Sequence, residues 1–461
     1  MQTYKVDQPS WAASLFSIPN LGCIFAIIVA PLMLFFTDTA SNVPGVMETR
    51  YENKIFWPLM GLATLIFAAR HFPRRGELVW PAHVICLFGY LAFAGLSITW
   101  AFAPHLSLIR FVQQAMVVTS IVVPAMVAPR SMDLMRGLFL CFAISVILNI
   151  FFLMGGYQTF ADNIAIGYSG YFLGKNYLGE CAAIALLVSM NELFYPGVRR
   201  FFGLTIIALC IVLIFYANSK TALGLALLCP MIGAGLLIVR RTTRISPAAL
   251  VWALVIGYLV FAAVTGFTMG RVSYMLYGDS SFTGRQIIWD FAKSEIDQRP
   301  FIGWGYQSFW LVGADGPSVM NAPGWVKTMP NAHNGYYDTI LELGYVGFVL
   351  LLAFLTTTLQ GLGRVLDRDP ARGWVMLSVA FYIIIHNGLE SAWMRGFELL
   401  WVVFLIVVAE IARQTQLWHA LGRTRARSSY LRSQRAPAHR QSGSSALSRG
   451  RWAEDQSGIK A

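Results

Sequence analysis

Apolar residues run along this chain in long unbroken blocks, not in the alternation of half-buried strands. The blocks are Leu21–Phe36, Ile55–Ala69, Trp80–Phe102, Ser107–Ala128, Gly137–Met154, Tyr177–Tyr195, Phe202–Ala217, Ala222–Val239, Ala248–Met269, Thr339–Leu359, Trp374–Ile385 and Phe397–Ile411. A helix needs roughly 20 apolar residues to cross a bilayer, so these blocks predict about twelve spans, with Ile55–Ala69 and Trp374–Ile385 short for the purpose. Backbone groups in hydrocarbon must be satisfied within the protein, which leaves helices or closed barrels. Continuous blocks select helices. The expected fold is an all-α polytopic membrane protein.

One long polar stretch interrupts the pattern, about 65 residues between Gly270 and Tyr337, and loops of that length are usually functional. The chain therefore divides into residues 1–20, an N-terminus; 21–269, helices 1–9; 270–338, the large loop; 339–413, helices 10–12; and 414–461, a tail. With twelve spans, one set of loops carries Arg70, Arg74 and Arg75; Arg130 and Arg136; Arg199 and Arg200; Arg240, Arg241 and Arg244; and Arg364, Arg368 and Arg372. Cytoplasmic loops are enriched in arginine and lysine, so this face and both termini are expected inside. The large loop is then extracytoplasmic, between helices 9 and 10.

Composition agrees. Hydrophobic residues make up 56% and charged residues 13%, against about 25% charge in soluble domains. The net charge of +12 resembles a nucleic-acid signal until it is located. From Gln414 onward the tail holds nine basic and two acidic residues, +7 of the total, and it is too poor in aliphatics to bury a core. A disordered tail lying on anionic headgroups is expected, with no nucleic-acid partner. All six cysteines fall within apolar blocks, without metal-ligand spacing, and read as small core residues.

Candidate chemistry lies on the outward side. In Asn331-Ala332-His333-Asn334-Gly335, a His-Asn pair stands at the mouth of an apolar helix. If that helix starts near Asn331, Tyr337, Leu341 and Gly344 share the face of His333, and Gly344 admits a neighbouring helix. Arg285 and Trp289 lie four apart on a short predicted helix ended by Pro300. An arginine beside an aromatic suits a saccharide or phosphate, and equally an interfacial anchor. Lys175 (in Gly174-Lys175-Asn176), Lys220 (in Asn218-Ser219-Lys220) and Arg110 are basic residues at the outward ends of spans, where ionisable groups are costly and suggest function. Snorkelling side chains are the bland reading. Finally, His386-Asn387-Gly388-Leu389-Glu390 repeats the His-Asn-Gly triplet at the outward end of the eleventh span, on the same face of the membrane as His333.

Taken together, His333-Asn334 followed by Gly344 and Gly347, Arg285 with Trp289, the Pro300…Gly303-Trp304-Gly305 run, the Gly174-Lys175-Asn176 element and Ser219-Lys220 resemble the signature of the O-antigen ligase and Wzy-type polysaccharide polymerase superfamily. The likeness covers most of the chain from about Gly89 to Trp401 and is nearest to ExoQ-type exopolysaccharide polymerases. Lys220 departs from the arginine common there and loses the planar fork. The resemblance implies a GT-C-like, metal-independent inverting glycosyltransferase without cofactor, working at the periplasmic face of the bacterial inner membrane. Its donor would be an undecaprenyl-diphosphate-linked oligosaccharide, and its partners a chain-length regulator and other polysaccharide assembly proteins. His333, Asn334 and Arg285 would be catalytic. Lys175, Asn176, Lys220, Trp289, Tyr337, Asn387 and Glu390 would bind diphosphate or saccharide. The resemblance leaves open a ligase that moves polymer onto lipid A core. From the span count alone, a twelve-span precursor transporter is also open, although no paired halves are visible in the sequence.

Overall fold

The computed structural model describes residues 9–36, 51–73, 77–158, 167–266, 284–396 and 398–435. Every regular element among them is helical. Ten helices are long and apolar enough to cross a membrane: Ile18–Phe36, Ala82–Trp100, Pro104–Val127, Leu134–Gly155, Lys175–Phe194, Val198–Ala217, Lys220–Thr243, Pro247–Thr265, Gly335–Arg368 and Leu399–Thr424. The two short blocks are helical too. One is Tyr51–His71, which carries charge at both ends, and the other is Pro370–His386, which at 17 residues is shorter than any of the ten. The protein is thus a polytopic all-helical membrane protein, and among the described residues each of the twelve predicted blocks overlaps a helix; residues 267–269 and residue 397 of those blocks lie outside the described residues.

Burial grades across the bundle. Leu399–Thr424 is the most enclosed span, whereas Pro247–Thr265 is the least buried. Around the enclosed helix, Gly335–Arg368 packs on Ala82–Leu96 and on Pro370–His386, which in turn packs on Lys220–Thr243 and Lys175–Ser189. Close approach is set by small residues. A Cβ on Gly179 would sit 2.7 Å from that of Ser219, and one on Gly361 would sit 2.7 Å from Ile411.

The arginine-bearing helix ends gather at one end of the bundle, tied by a buried ion network. Arg372 donates to Asp133 (2.9 Å) and Glu410 (2.7 Å), while Arg413 pairs with Glu410 and donates to the Pro129 carbonyl. Nearby, Arg240 forks onto Asp367. The polar segment closes the other end. Its described part, residues 284–334, has a small core of its own, in which Ile288, Phe291, Ala292 and Ile296 from one face of helix Arg285–Gln298 meet Trp304, Phe309, Trp310 and Val326.

Three sequence expectations change. The helix after His333 starts at Gly335, with Asn334 as its N-cap, and not near Asn331; the Asn334 amide oxygen takes the Tyr336 and Tyr337 N–H groups, and that cap leaves His333 outside the helix. Gly344 interrupts that helix and does not serve helix–helix contact. Its φ of 64° and ψ of −171° are non-helical, and the segment Pro300–Gly305 runs through the break as a strap. Trp304 and Gly305 N–H groups donate to the Leu341 and Glu342 carbonyls, and Tyr345 and Val346 N–H groups donate to Pro300 and Phe301. The strap satisfies the groups that a broken helix orphans. Lastly, the tail expected to be disordered from residue 414 is helical as far as Arg435; the stretch lacks proline and is rich in arginine, leucine, alanine and glutamine, all good helix formers. Residues 436–461 lie outside the described residues. The chain divides into one compact unit, Met1–Leu417, and a second, Trp418–Ala461; all the site residues below belong to the first.

Candidate active site

Helix Ala82–Leu96, the link after it and helix Pro104–Val127 clamp the strap from the far side. Trp100 Nε1 donates to the Ile302 carbonyl (3.1 Å), Phe102 N–H to Trp304, Ser107 Oγ to Tyr306 (2.7 Å), and Arg110 to Gln307. The buried Arg110 is therefore at least partly occupied in holding the strap. Beneath it, Arg395 forms ion pairs with Glu342 (2.8 Å) and Asp338 (3.3 Å), and Asp338 also accepts from Trp310 Nε1 and the Ala332 N–H. The strap, the helix start and the 387–396 loop are thereby tied into one mount.

On that mount the two His-Asn-Gly triplets meet. Gly335 N–H donates to the Asn387 and Glu390 carbonyls, Asn334 N–H to Ser391 Oγ (3.0 Å), and Asn334 Nδ2 to the Gly388 carbonyl (3.1 Å). A Cβ on Gly335 would fall 2.3 Å from Asn387 Oδ1, so only glycine allows this contact. Asn387 is fully buried, with its amide spent on Ile383, Ala392 and Trp393 backbone. It shapes the loop and does not line a binding surface, a correction to the expectation for it. Asn334 is likewise a cap and brace, with its amide engaged at both ends.

Glu390 is the centre. His333 Nδ1 lies 2.7 Å from Glu390 Oε2, and Arg285 Nη2 reaches Oε1 at 2.5 Å. A carboxylate only accepts, so Nδ1 carries a hydrogen, and in the neutral imidazole Nε2 carries the lone pair. Burial alone would raise the Glu390 carboxyl, but the His333 hydrogen bond and the Arg285 charge outweigh it and hold it below its ordinary range. His333 itself sits at φ 48°, an uncommon conformation for a residue with a side chain, held by its N–H bond to Asn331 Oδ1 (2.9 Å). Strain of this sort concentrates at functional sites. The side chains of Arg285, Glu390 and His333 keep 19%, 23% and 30% of their surface open, enough for a ligand to reach all three. Trp289 donates to the Ala332 carbonyl and packs its ring 6.2 Å from that of Tyr337, an aromatic wall beside the histidine.

Lys175 and Lys220 begin adjoining helices. The Lys175 stem passes close to Gly167, and Lys220 is exposed. Asn176 is exposed beside Lys175. The same helix carries Tyr177 and Glu180 towards the Glu390 group, where Glu180 pairs with His386 at 3.3 Å. Glu180, Arg395 and Glu398 are the charged residues that sequence reasoning missed. The rule that ionisable groups at membrane depth mark function, applied to acids as well as bases, singles out Glu180.

Continuous apolar helices around a polar, charge-lined site at one end of the bundle define a multi-pass membrane protein. Residues 205–352 match the family model Wzy_C, O-antigen ligase. The chain is also 29% identical over 328 residues to the "Exopolysaccharide production protein ExoQ" of Rhizobium meliloti (strain 1021), covering 67% of this chain and 72% of that protein. The chain is thus similar both to O-antigen ligase and to an exopolysaccharide production protein of the ExoQ type.

Proposed function

We propose that the protein is a polysaccharide polymerase that joins lipid-diphosphate-linked oligosaccharide repeat units at the outward face of the bacterial inner membrane. The observation that carries this reading is the arrangement of Arg285, Glu390 and His333, at the mouth of a membrane helix in a chain similar to an exopolysaccharide production protein. Glycosyl transfer from a lipid diphosphate needs a base for a poor hydroxyl nucleophile and positive charge for the leaving group. The site offers both.

In the proposed step, an acceptor hydroxyl loses its proton to His333 Nε2 while its oxygen bonds to the anomeric carbon of the donor sugar. The bond from that carbon to the diphosphate breaks on the opposite face, so the configuration inverts. Glu390 keeps the imidazole in the required tautomer and balances the imidazolium that forms; a positioned general base typically contributes 10²–10⁴-fold. The Arg285 guanidinium uses one nitrogen on Glu390 and retains further donors for phosphate oxygens. Lys175 and Lys220, at the heads of their helices, supply further positive charge towards a diphosphate. Trp289 and Tyr337 stack on saccharide, and Asn176 lies at its rim. No step in this reading calls for a metal.

The family match to O-antigen ligase favours a second reading, transfer of finished polymer to a lipid acceptor. Reconstituting the purified protein with lipid-diphosphate repeat units separates the two. Ladders of longer lipid-linked oligosaccharide are expected from the polymerase. If repeat units stay single while pre-made polymer moves to an added lipid A core, the ligase reading replaces it.

A further inference from the structure

Behind the Arg285–Glu390–His333 group, two buried ionisable side chains meet across a pair of helices. His386 is the last residue of the helix Pro370–His386, and its Nε2 lies 3.3 Å from Glu180 Oε1 on the helix Lys175–Ser189. Both residues are buried, at 3% and 7% exposure. The His386 ring also stacks on that of Tyr382, with centroids 5.6 Å apart and planes 11° from parallel. Stack and bond together fix the imidazole. The His386 carbonyl accepts the Leu389 and Glu390 N–H groups, each at 2.9 Å, so the turn that carries Glu390 hangs directly from this residue.

The other end of the pair leads to the lysines. Lys175 begins its helix five residues before Glu180, about 7.5 Å along the axis. Gly179, next to Glu180, lies against the head of the helix Lys220–Thr243, where an added Cβ would sit 2.7 Å from that of Ser219 and 3.1 Å from that of Ala222. The heads of the two lysine-bearing helices are thus packed on each other, and Glu180 joins them to the Glu390 turn. Stability does not explain the pair. Desolvation offsets much of the attraction in a buried ion pair, and well-packed apolar residues in its place are often neutral or stabilising. What a directional bond between two side chains adds to helix packing is register.

We propose that His386 and Glu180 are positioning residues, a tie that sets the spacing between the Lys175 and Lys220 helix heads and the Arg285–Glu390–His333 group. This rests on the transfer reading above, in which the diphosphate leaves towards the lysines while the acceptor hydroxyl meets His333. Base and cations act on one donor sugar in the same step, so a slip of the helix Lys175–Ser189 along Pro370–His386 separates them. A misplacement of ~1 Å is enough to cost on the order of 10²-fold in rate. Both side chains, being buried, act through the groups they carry and not on substrate.

The test uses E180M/H386F in the full-length protein in nanodiscs, with lipid-diphosphate repeat units as substrate. Methionine and phenylalanine fill the space and keep a ring on Tyr382, while the directional bond is lost. Thermal unfolding should stay near the parental midpoint or above it. The kcat should fall ~10–100-fold, with a smaller change in donor KM. On this background K175A should cost far less than in the parent, because Lys175 is already out of place. E180Q, which keeps an acceptor for His386 Nε2, should transfer at close to the parental rate and show the full cost of K175A. Spin labels at the exposed Asn176 and Lys327 should change their distance distribution in E180M/H386F and keep it in E180Q. Parental kcat in a stable E180M/H386F protein, an unchanged label distance, or a full K175A cost on that background overturns the proposal. A fall in kcat matched by an equal loss of folded protein makes the pair merely structural and overturns it too. If the label distance responds as expected while K175A and H333A leave parental transfer untouched, the transfer reading fails and the tie stands.

Discussion

Replacing Gly344 with alanine puts a methyl group where the strap backbone already lies. The added Cβ would be 2.1 Å from both C and O of Phe301 and 2.4 Å from the Ile302 nitrogen. None of these is the far end of a flexible side chain, so the strap must move or the helix must rewind. The backbone at Gly344 also occupies a region adopted essentially by glycine alone, at ~1–3 kcal/mol for another residue. Moving the strap breaks up to four hydrogen bonds, those between Trp304 and Leu341, Gly305 and Glu342, Tyr345 and Pro300, and Val346 and Phe301. Each buried group left unsatisfied costs ~1–3 kcal/mol. If relaxation leaves only one or two orphaned, the total is ~2–9 kcal/mol. Gly224, in a helix with nothing within 4 Å of its Cβ position, is the control, and alanine there should be neutral or stabilising by up to ~1 kcal/mol. Thermal unfolding in detergent, read beside hydrogen exchange at Gly303–Gly305 and Tyr345–Val346, measures the effect. G344A should melt well below G224A, with those amides losing protection together. A G344A protein that melts with the parent and keeps the strap amides protected would refute the account of a strap-filled helix break.

Other consequences follow from the same contacts. E390Q should lower transfer at least ~10-fold in reconstituted membranes without loss of folded protein, since the amide keeps the shape and loses the charge. Because the Glu390 carboxyl is depressed in the folded protein, the stability it contributes is present above its ordinary value of 4.5 and is lost only as pH falls through its lower folded value. A thermal-stability scan should therefore show E390Q losing to the parent at pH 6 and converging with it only in strong acid. At the opposite end, E410A leaves Arg372 and Arg413 without their shared carboxylate and should cost ~3–5 kcal/mol, seen as a fall in melting temperature and in monodisperse yield. N334A removes a cap on two N–H groups and a brace to Gly388, and should cost ~1–2 kcal/mol while raising exchange at Tyr336 and Tyr337.

Much of the architecture is legible in the sequence because hydrocarbon imposes one local rule, continuous apolar helix, that needs no tertiary knowledge. The convergence of His333 with Glu390 was half legible: the repeated His-Asn-Gly triplet hints that two helix ends meet, and the structure joins them through Gly335 and Asn387. What the triplet cannot show is the division of labour. Asn387 and Asn334 spend their amides on backbone, while Glu390, outside both triplets, holds the imidazole and the guanidinium. The cap that excludes His333 from its helix was readable in Asn334, a preferred N-cap residue. The break at Gly344 was not, because a helical glycine and a glycine in a strap-filled gap look alike until the strap, some 40 residues away in sequence, is seen to cross it. Arg395 escaped for a similar reason, its partners Asp338 and Glu342 lying some 50 residues or more away in sequence, whereas Glu180 was within reach of the rule on ionisable groups at membrane depth.

The most direct measurement is the size profile of lipid-linked and surface glycans in cells whose only copy carries His333→Ala, with membrane insertion confirmed. The account predicts that single repeat units accumulate on the lipid carrier and long polymer disappears. An unchanged profile would contradict it and remove His333 from the chemistry.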